Sequence, residues 1–133
     1  MNQATKDYVK QWILKAEEDL IVVDKLTEDQ IIAPASVCFH CQQASEKYLK
    51  AFLISHDVEI RRTHNIEFLL TECCDINPIF SEIDPKNLSD YGVDVRYPGD
   101  MYIPDDSEVL DSISIVRQIK CIVEENILSK ILK

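Results

Sequence analysis

Residues 36–55, SVCFHCQQASEKYLKAFLIS, place one histidine, two cysteines three positions apart, two adjacent glutamines and a Glu/Lys series within twenty residues. Such a set of side chains fits a metal site, a redox site, a binding surface or an ordinary amphipathic helix. The spacing of each residue type and the rest of the chain decide among these four.

The cysteine pair, Cys38 and Cys41, has the spacing of half a zinc or redox site. A structural zinc needs four ligands, but the chain has no second CxxC or HxxxH pair, and His56 and His64 are too isolated to complete one. A thioredoxin-like motif needs a βαβ context, which this sequence lacks. We therefore expect no metal, no redox role and no cofactor. The five cysteines cannot all pair, and we interpret them as small buried residues of a reduced, cytoplasmic protein.

Polar side chains recur every four residues along two ridges of one helix face: Gln42, Glu46 and Lys50 on the first, Gln43 and Lys47 on the second. Glu46 precedes Lys50 in the orientation that favours an ion pair. From spacing alone, a solvated face is the favoured interpretation. The two glutamines next to His40 nevertheless form a hydrogen-bonding strip.

The composition describes a single helical domain. The chain has 133 residues, 46% of them hydrophobic and 29% charged, with only two glycines and no alternating valine-rich runs. No apolar run approaches about eighteen residues, and the first twenty residues mix charges with apolar side chains, so neither a signal peptide nor a membrane span is expected. The net charge of −10 argues against coating DNA, although a local anion site remains compatible with it.

Apolar periodicity and capping residues predict the first three helices. Helix one covers residues 4–27, with an inward set of Val9, Ile13, Ala16, Leu20 and Val23. Pro34 interrupts the chain, and Ser36 is predicted to cap helix two, which ends near Ser55. Its inward set is Val37, Cys41, Ala44, Tyr48 and Phe52. Either Thr63 or Asn65 caps helix three, which turns inward Ile66, Leu69, Leu70 and Cys73.

The second half of the chain predicts two short helical segments and one long helix. Asn77-Pro78 and Asp84-Pro85 each place a cap before a proline, and Gly92 closes the second segment. Residues 92–104, GVDVRYPGDMYIP, are predicted to form an ordered loop, after which Asp105 and Glu108 resemble a capping box. The apolar residues of the last helix cover about half its circumference, so we expect one side to contact a second subunit through Ile115 and Ile119.

Three ordered motifs resemble those of HEPN domains: FHCQQASEKYLKAFL at 39–53, RTHNIEFLL at 62–70 and VRYPG at 95–99, with WILKAEEDL upstream at 12–20. The resemblance implies one HEPN-like domain over residues 1–133, an all-α, up-and-down bundle of four main helices plus one or two short ones, and a homodimer. The chain also resembles a small prokaryotic branch of the family, whose members are often encoded beside a minimal nucleotidyltransferase. That enzyme and a nucleotide are therefore the expected partner and ligand.

Other HEPN branches are metal-independent ribonuclease toxins, which carry an arginine, four to six further residues and then a histidine. The corresponding windows hold residues 66–69 after Arg61 and Arg62, residues 101–103 after Arg96 and residues 122–124 after Arg117. None of these windows contains a histidine. We therefore expect a non-catalytic binding module. The alternatives are a ribonuclease toxin with a divergent active site and a purely structural helical dimer.

The candidate binding residues are those of the polar ridges and of two later motifs: Gln42, Gln43, Glu46, Lys47, Lys50, His64, Arg96 and Tyr97. Arg96 offers a planar fork for a phosphate or carboxylate, the lysines offer point charges and Tyr97 offers a stacking ring. An equally weighted alternative pairs Arg96 with Glu46 or Asp94, which would pin the loop to the bundle. His64 has two interpretations, a lone acid/base group or part of a capped helix start.

Overall fold

The computed structural model describes residues 1–92 and 102–131, and all regular structure in these two ranges is helical. Its elements in chain order are α1 (Gln3–Leu26), α2 (Pro34–Ser55), α3 (Ile66–Ile76), two 3-10 helices (Pro78–Glu82 and Leu88–Gly92) and α4 (Asp106–Ile131). This confirms the predicted all-α bundle of four main helices and two short ones. None of the described helices is both long enough and apolar enough to cross a membrane.

Helix α2 is the centre of the bundle, because α1, α3, α4 and the second 3-10 helix all pack against it. Between Val37 and Ser55 every residue is buried except Phe39, His40, Gln43 and Lys47, which are half-buried. The prediction of a solvated polar face on this helix is therefore wrong. Helices pack on both the apolar and the polar sides of α2, so its polar side chains need partners inside the protein.

The predicted inward sets form one continuous core. All five residues assigned to the inward side of α2 and all four assigned to α3 are buried, and the ring of Phe52 lies edge-on to that of Phe80 at 4.7 Å. On α1, Val9, Ala16 and Val23 are fully covered. Helical periodicity therefore identifies the core correctly.

Two predicted helix starts differ from the structure. Helix α2 begins at Pro34 rather than after Ser36, since proline fits the first turn of a helix and Ala33 makes the turn with φ 51°. The second 3-10 helix begins at Leu88 rather than Pro85, because Lys86 adopts φ 46°. The caps at Asn65 and Asn77 are confirmed, as each side chain accepts a backbone hydrogen bond.

Helix α4 starts at the predicted capping box, in which the Glu108 amide donates to Oδ1 of Asp105 at 2.8 Å and the Asp105 amide donates to Glu108 at 3.4 Å. Its wide apolar surface, however, is buried against other helices of the same chain. Ile115 is 4% exposed and Ile119 is 0% exposed, because both pack into the core around α2. The prediction that these two isoleucines face a second subunit is therefore wrong.

This burial changes the expected result of the double substitution Ile115→Glu with Ile119→Glu. Each change would bury an unpaired carboxylate, so we expect a loss of more than about 4 kcal/mol and an unfolded chain. Urea unfolding followed by circular dichroism measures it. The matched control is Leu14→Glu on α1, where the side chain is exposed and the change should stay within about 0.5 kcal/mol. A folded double variant would contradict the packing of α4.

Candidate functional site

The Glu46 carboxylate is buried between α2 and the start of α3, and it binds groups from both. Its Oε1 accepts from Nδ1 of His64 at 2.7 Å, and its Oε2 accepts from Nζ of Lys50 at 3.0 Å. Gln42 adds a longer contact of 3.4 Å to Oε1. Glu46 is 5% exposed, whereas the side chain of His64 is 73% exposed, so a covered carboxylate holds a surface imidazole in place.

A second carboxylate, Asp19 of α1, makes the same kinds of contact, with one histidine and one lysine, on the adjacent ridge of α2. Its Oδ1 accepts from Nδ1 of His40 at 2.8 Å, and its Oδ2 accepts from Nζ of Lys47 at 2.7 Å. Asp19 is buried, whereas the imidazole and the ammonium are part-exposed. The expected ridge from Gln43 to Lys47 therefore contains no direct bond, because Lys47 turns to α1.

The two glutamines connect this polar layer to the rest of the bundle. Gln42 is fully buried, donates to the backbone carbonyl of His64 at 3.0 Å, and accepts from Nε2 of Gln43 at 2.7 Å. Gly92 packs against the same amide, where an added Cβ would lie 2.9 Å from Cδ of Gln42. A side chain at position 92 would therefore displace Gln42.

The two carboxylate groups fix the orientation of both imidazoles. When Nδ1 donates to a carboxylate, a neutral histidine presents the lone pair of Nε2 away from it, and a protonated histidine presents an N–H. His40 and His64 are both held in this way. The arrangement can accept or donate one hydrogen bond at each Nε2, and it can exchange a proton with a bound group.

Lys50 contributes to the packing of the bundle as well as to this polar layer. Its ammonium lies 5.6 Å from the centroid of the Trp12 ring on α1, and the residue as a whole is only 6% exposed. The predicted Glu46 to Lys50 ion pair is confirmed. Lys47, in contrast, keeps part of its surface open to solvent.

The structure thus brings most of the predicted site residues together. Gln42, Gln43, Glu46, Lys50 and His64 form one connected group of hydrogen bonds, and Lys47 joins the neighbouring group on Asp19. Arg96, Tyr97 and the alternative pairing of Arg96 with Glu46 or Asp94 lie outside the described residues.

Sequence reasoning did not select Asp19 as a site residue. The available signal was its position on α1, since it falls three residues after Ala16 and four before Val23, on the apolar side of that helix. A carboxylate in an otherwise buried stripe indicates a partner inside the protein.

Glu108 accepts hydrogen bonds from residues on either side of positions 93–101, which lie outside the described ranges. The hydroxyl groups of Tyr91 and Tyr102 donate to its two oxygens, each at 2.5 Å. These hydrogen bonds, that of Tyr102 first, lower the pKa of the Glu108 carboxyl. Because the folded pKa is depressed, this contribution to stability is present at neutral pH and is lost as the pH falls below the ordinary carboxyl range.

The cysteines divide by burial. Cys38, Cys41 and Cys73 are buried, in agreement with their interpretation as small core residues, whereas Cys74 is half-buried and Cys121 is exposed. Burial raises the pKa of the Cys41 and Cys73 thiols, so both stay protonated at neutral pH. Over residues 1–92 and 102–131, no three His, Cys, Asp or Glu side chains group in a way that could hold a metal ion.

The geometry defines a class of protein: an all-α bundle whose buried central helix carries glutamines, a Glu/Lys pair and carboxylate-held histidines. A family model described as the HEPN domain matches residues 9–126, so the chain belongs to the HEPN domain family. This confirms the resemblance seen in the three sequence motifs. No match was found among curated proteins or among solved structures.

The Glu46 carboxylate gives a direct test of the buried polar layer. In Glu46→Ala, Lys50 keeps its charge in a buried position without its partner, so we expect a loss of about 3–5 kcal/mol of unfolding free energy. Chemical denaturation measures the loss. The matched control is Glu28→Ala, which removes an exposed ion pair with Lys25 and should cost less than about 1 kcal/mol. Equal losses in the two variants would show that the Glu46 pair is solvated.

Proposed function

We propose that this HEPN-domain protein is a non-catalytic binding module that takes a nucleotide on the polar side of α2. The observation that carries the proposal is the pair of histidines held at the surface by covered carboxylates. Side chains fixed in this way lose little freedom when a ligand binds.

The energetic cost of the polar layer supports a role beyond packing. Apolar residues of similar volume often replace a whole buried ion pair without loss of stability, so packing alone does not explain why positions 46 and 50 carry charges. The half-buried Gln43, which is held by the buried Gln42, adds an amide group that suits a base edge, and His64 adds an exposed ring. Two further residues are proposed for the site from the sequence alone: Arg96, whose planar guanidinium suits a phosphate, and Tyr97, whose ring suits stacking.

Isothermal calorimetry with ATP and GTP tests the nucleotide proposal. We expect saturable binding that His64→Gln weakens about tenfold, because the variant loses a charge-assisted hydrogen bond. Arg96→Ala should weaken binding similarly if its fork contacts the phosphates. The matched control is Lys120→Met, which removes a part-exposed lysine that pairs with Glu124 on α4.

Thermal unfolding of each variant in buffer separates binding from stability. If Arg96→Ala unfolds much earlier and neither protein binds nucleotide, Arg96 is structural and the proposal fails. A labelled RNA pool incubated with the protein should stay intact, because no arginine has a histidine at the ribonuclease spacing. Cleavage that is lost in His64→Gln or Arg96→Ala would favour the divergent ribonuclease instead.

The same proposal includes a minimal nucleotidyltransferase as the protein partner, in a toxin–antitoxin-like or stress-related setting. Its support is the membership of the HEPN family together with the branch that the sequence motifs resemble. A gene for such an enzyme next to this one, and co-elution of the two purified proteins, would support the pairing. Separate elution at micromolar concentrations would contradict it.

We also propose that the protein is a homodimer, with the outer side of α4 rather than Ile115 and Ile119 at the contact. A shallow groove of about 510 Å³ runs along that side, lined by Leu110, Ile113, Ser114, Arg117, Gln118 and Cys121. Light scattering should give about twice 15.3 kDa, and Leu110→Glu should give the monomer while keeping the helical circular dichroism signal. A 15.3 kDa particle for the unaltered protein would overturn this proposal.

A further inference from the structure

We infer that His40 and Lys47, held by Asp19, form the subsite for the phosphate groups of the ligand. This inference rests on the proposed nucleotide binding and assigns its anionic part to a particular place on α2. Neither Asp19 nor His40 is among the residues predicted from the sequence to bind a ligand.

His40 and Lys47 lie on the part of α2 that solvent reaches. Only Phe39, His40, Gln43 and Lys47 interrupt the burial of this helix between Val37 and Ser55. Their spacing puts the imidazole, the amide and the ammonium on one ridge, three and then four residues apart. The accessible part of α2 is therefore a narrow polar seam bordered by the Phe39 ring, whose centroid lies 5.2 Å from that of His40.

The charges at the seam favour an anionic ligand. Both oxygens of Asp19 already accept short hydrogen bonds, and Asp19 is 7% exposed, so its negative charge is turned inward and matched by Lys47. The atoms left to face a ligand are Nε2 of His40 and the remaining N–H groups of Lys47. The seam can therefore present donors to an anion even though the whole chain carries a net charge of −10.

The protonation state of His40 determines whether the site attracts or repels an anion. Nδ1 is engaged with Asp19, so a neutral ring presents a lone pair at Nε2, which repels an anion. Protonation at Nε2 converts that position into a donor and gives the cluster of Asp19, His40 and Lys47 a charge of about +1. A phosphate oxyanion, which has several acceptor oxygens, can then bind the imidazolium and the ammonium together.

A metal cation fits the same atoms poorly. The ammonium of Lys47 occupies Oδ2 of Asp19 at 2.7 Å, so a cation would have to displace it and would lie against a positive charge. The donor set therefore selects an anion. A diphosphate or triphosphate chain supplies the needed charge and acceptors.

The three histidines of the chain are natural reporters for this assignment. His40 lies in the proposed phosphate subsite, His64 lies at the Glu46 end, and His56 follows α2 and contacts Ser55 and Phe52. In ¹⁵N-labelled protein, inorganic pyrophosphate should shift the imidazole signals of His40 and leave those of His56 unchanged. Histidine-to-glutamine variants assign the signals.

Calorimetry with pyrophosphate then tests the two side chains. His40→Gln and Lys47→Met should each weaken binding about tenfold, since each removes a charge-assisted hydrogen bond. Lys120→Met is the matched control and should bind as the unaltered protein does.

Lys47→Met leaves Asp19 with one partner, so its circular dichroism spectrum must first show a folded protein. Lys47→Arg, which keeps the charge, should retain most of the affinity if the first variant unfolds. The two proposals fail in different ways. If ATP binds but neither the His40 signals nor the His40→Gln and Lys47 variants report it, the phosphate assignment is wrong and nucleotide binding stands. If neither ATP nor pyrophosphate binds, both are wrong.

Discussion

The interaction on which the rest of this structure depends is the hydrogen bonding and ion pairing of the buried Glu46 carboxylate. A carboxylate that is 5% exposed needs partners, and it obtains them from Lys50 on its own helix and from His64 at the start of α3. The buried charge therefore determines how the segment between α2 and α3 must run. It also connects Lys50 to Trp12 of α1 and Gln42 to the close approach of Gly92.

This dependence explains why α2 can be both central and polar. A helix surrounded by α1, α3 and α4 would be expected to be apolar all round. Here several polar groups of α2 meet a matching group on a neighbouring element, as Lys47 meets Asp19 and Gln42 meets the His64 carbonyl, whereas the buried Tyr48 hydroxyl has no hydrogen-bond partner. A connected network of hydrogen bonds and ion pairs of this kind favours a single arrangement of the helices over sliding alternatives.

The sequence predicts the helices and their inward residues because periodicity and capping are local properties. The Asn65 cap and the Asp105–Glu108 box each depend on a few adjacent residues. Burial of the polar side of α2 depends instead on which other helices cover it, and no spacing within residues 36–55 contains that information. The same reason accounts for the wrong prediction at Ile115 and Ile119. A wide apolar surface indicates how much of a helix is in contact, but it does not tell whether the contacting surface belongs to the same chain or to another.

The site follows the same division between local and tertiary information. The glutamines, Glu46 and His64 are recognisable from the sequence motifs, whereas Asp19 emerges only when α1 is placed beside α2. That placement also shows how an acidic chain could accept the proposed anionic ligand. Long-range repulsion from a net charge of −10 is screened beyond about 8 Å at physiological salt. At contact distance, the carboxylates of Asp19 and Glu46 are each matched by a lysine and buried, so the groups left for the proposed ligand are imidazole, amide and ammonium. Local geometry therefore decides the sign of the charge at this site, and the composition of the chain does not.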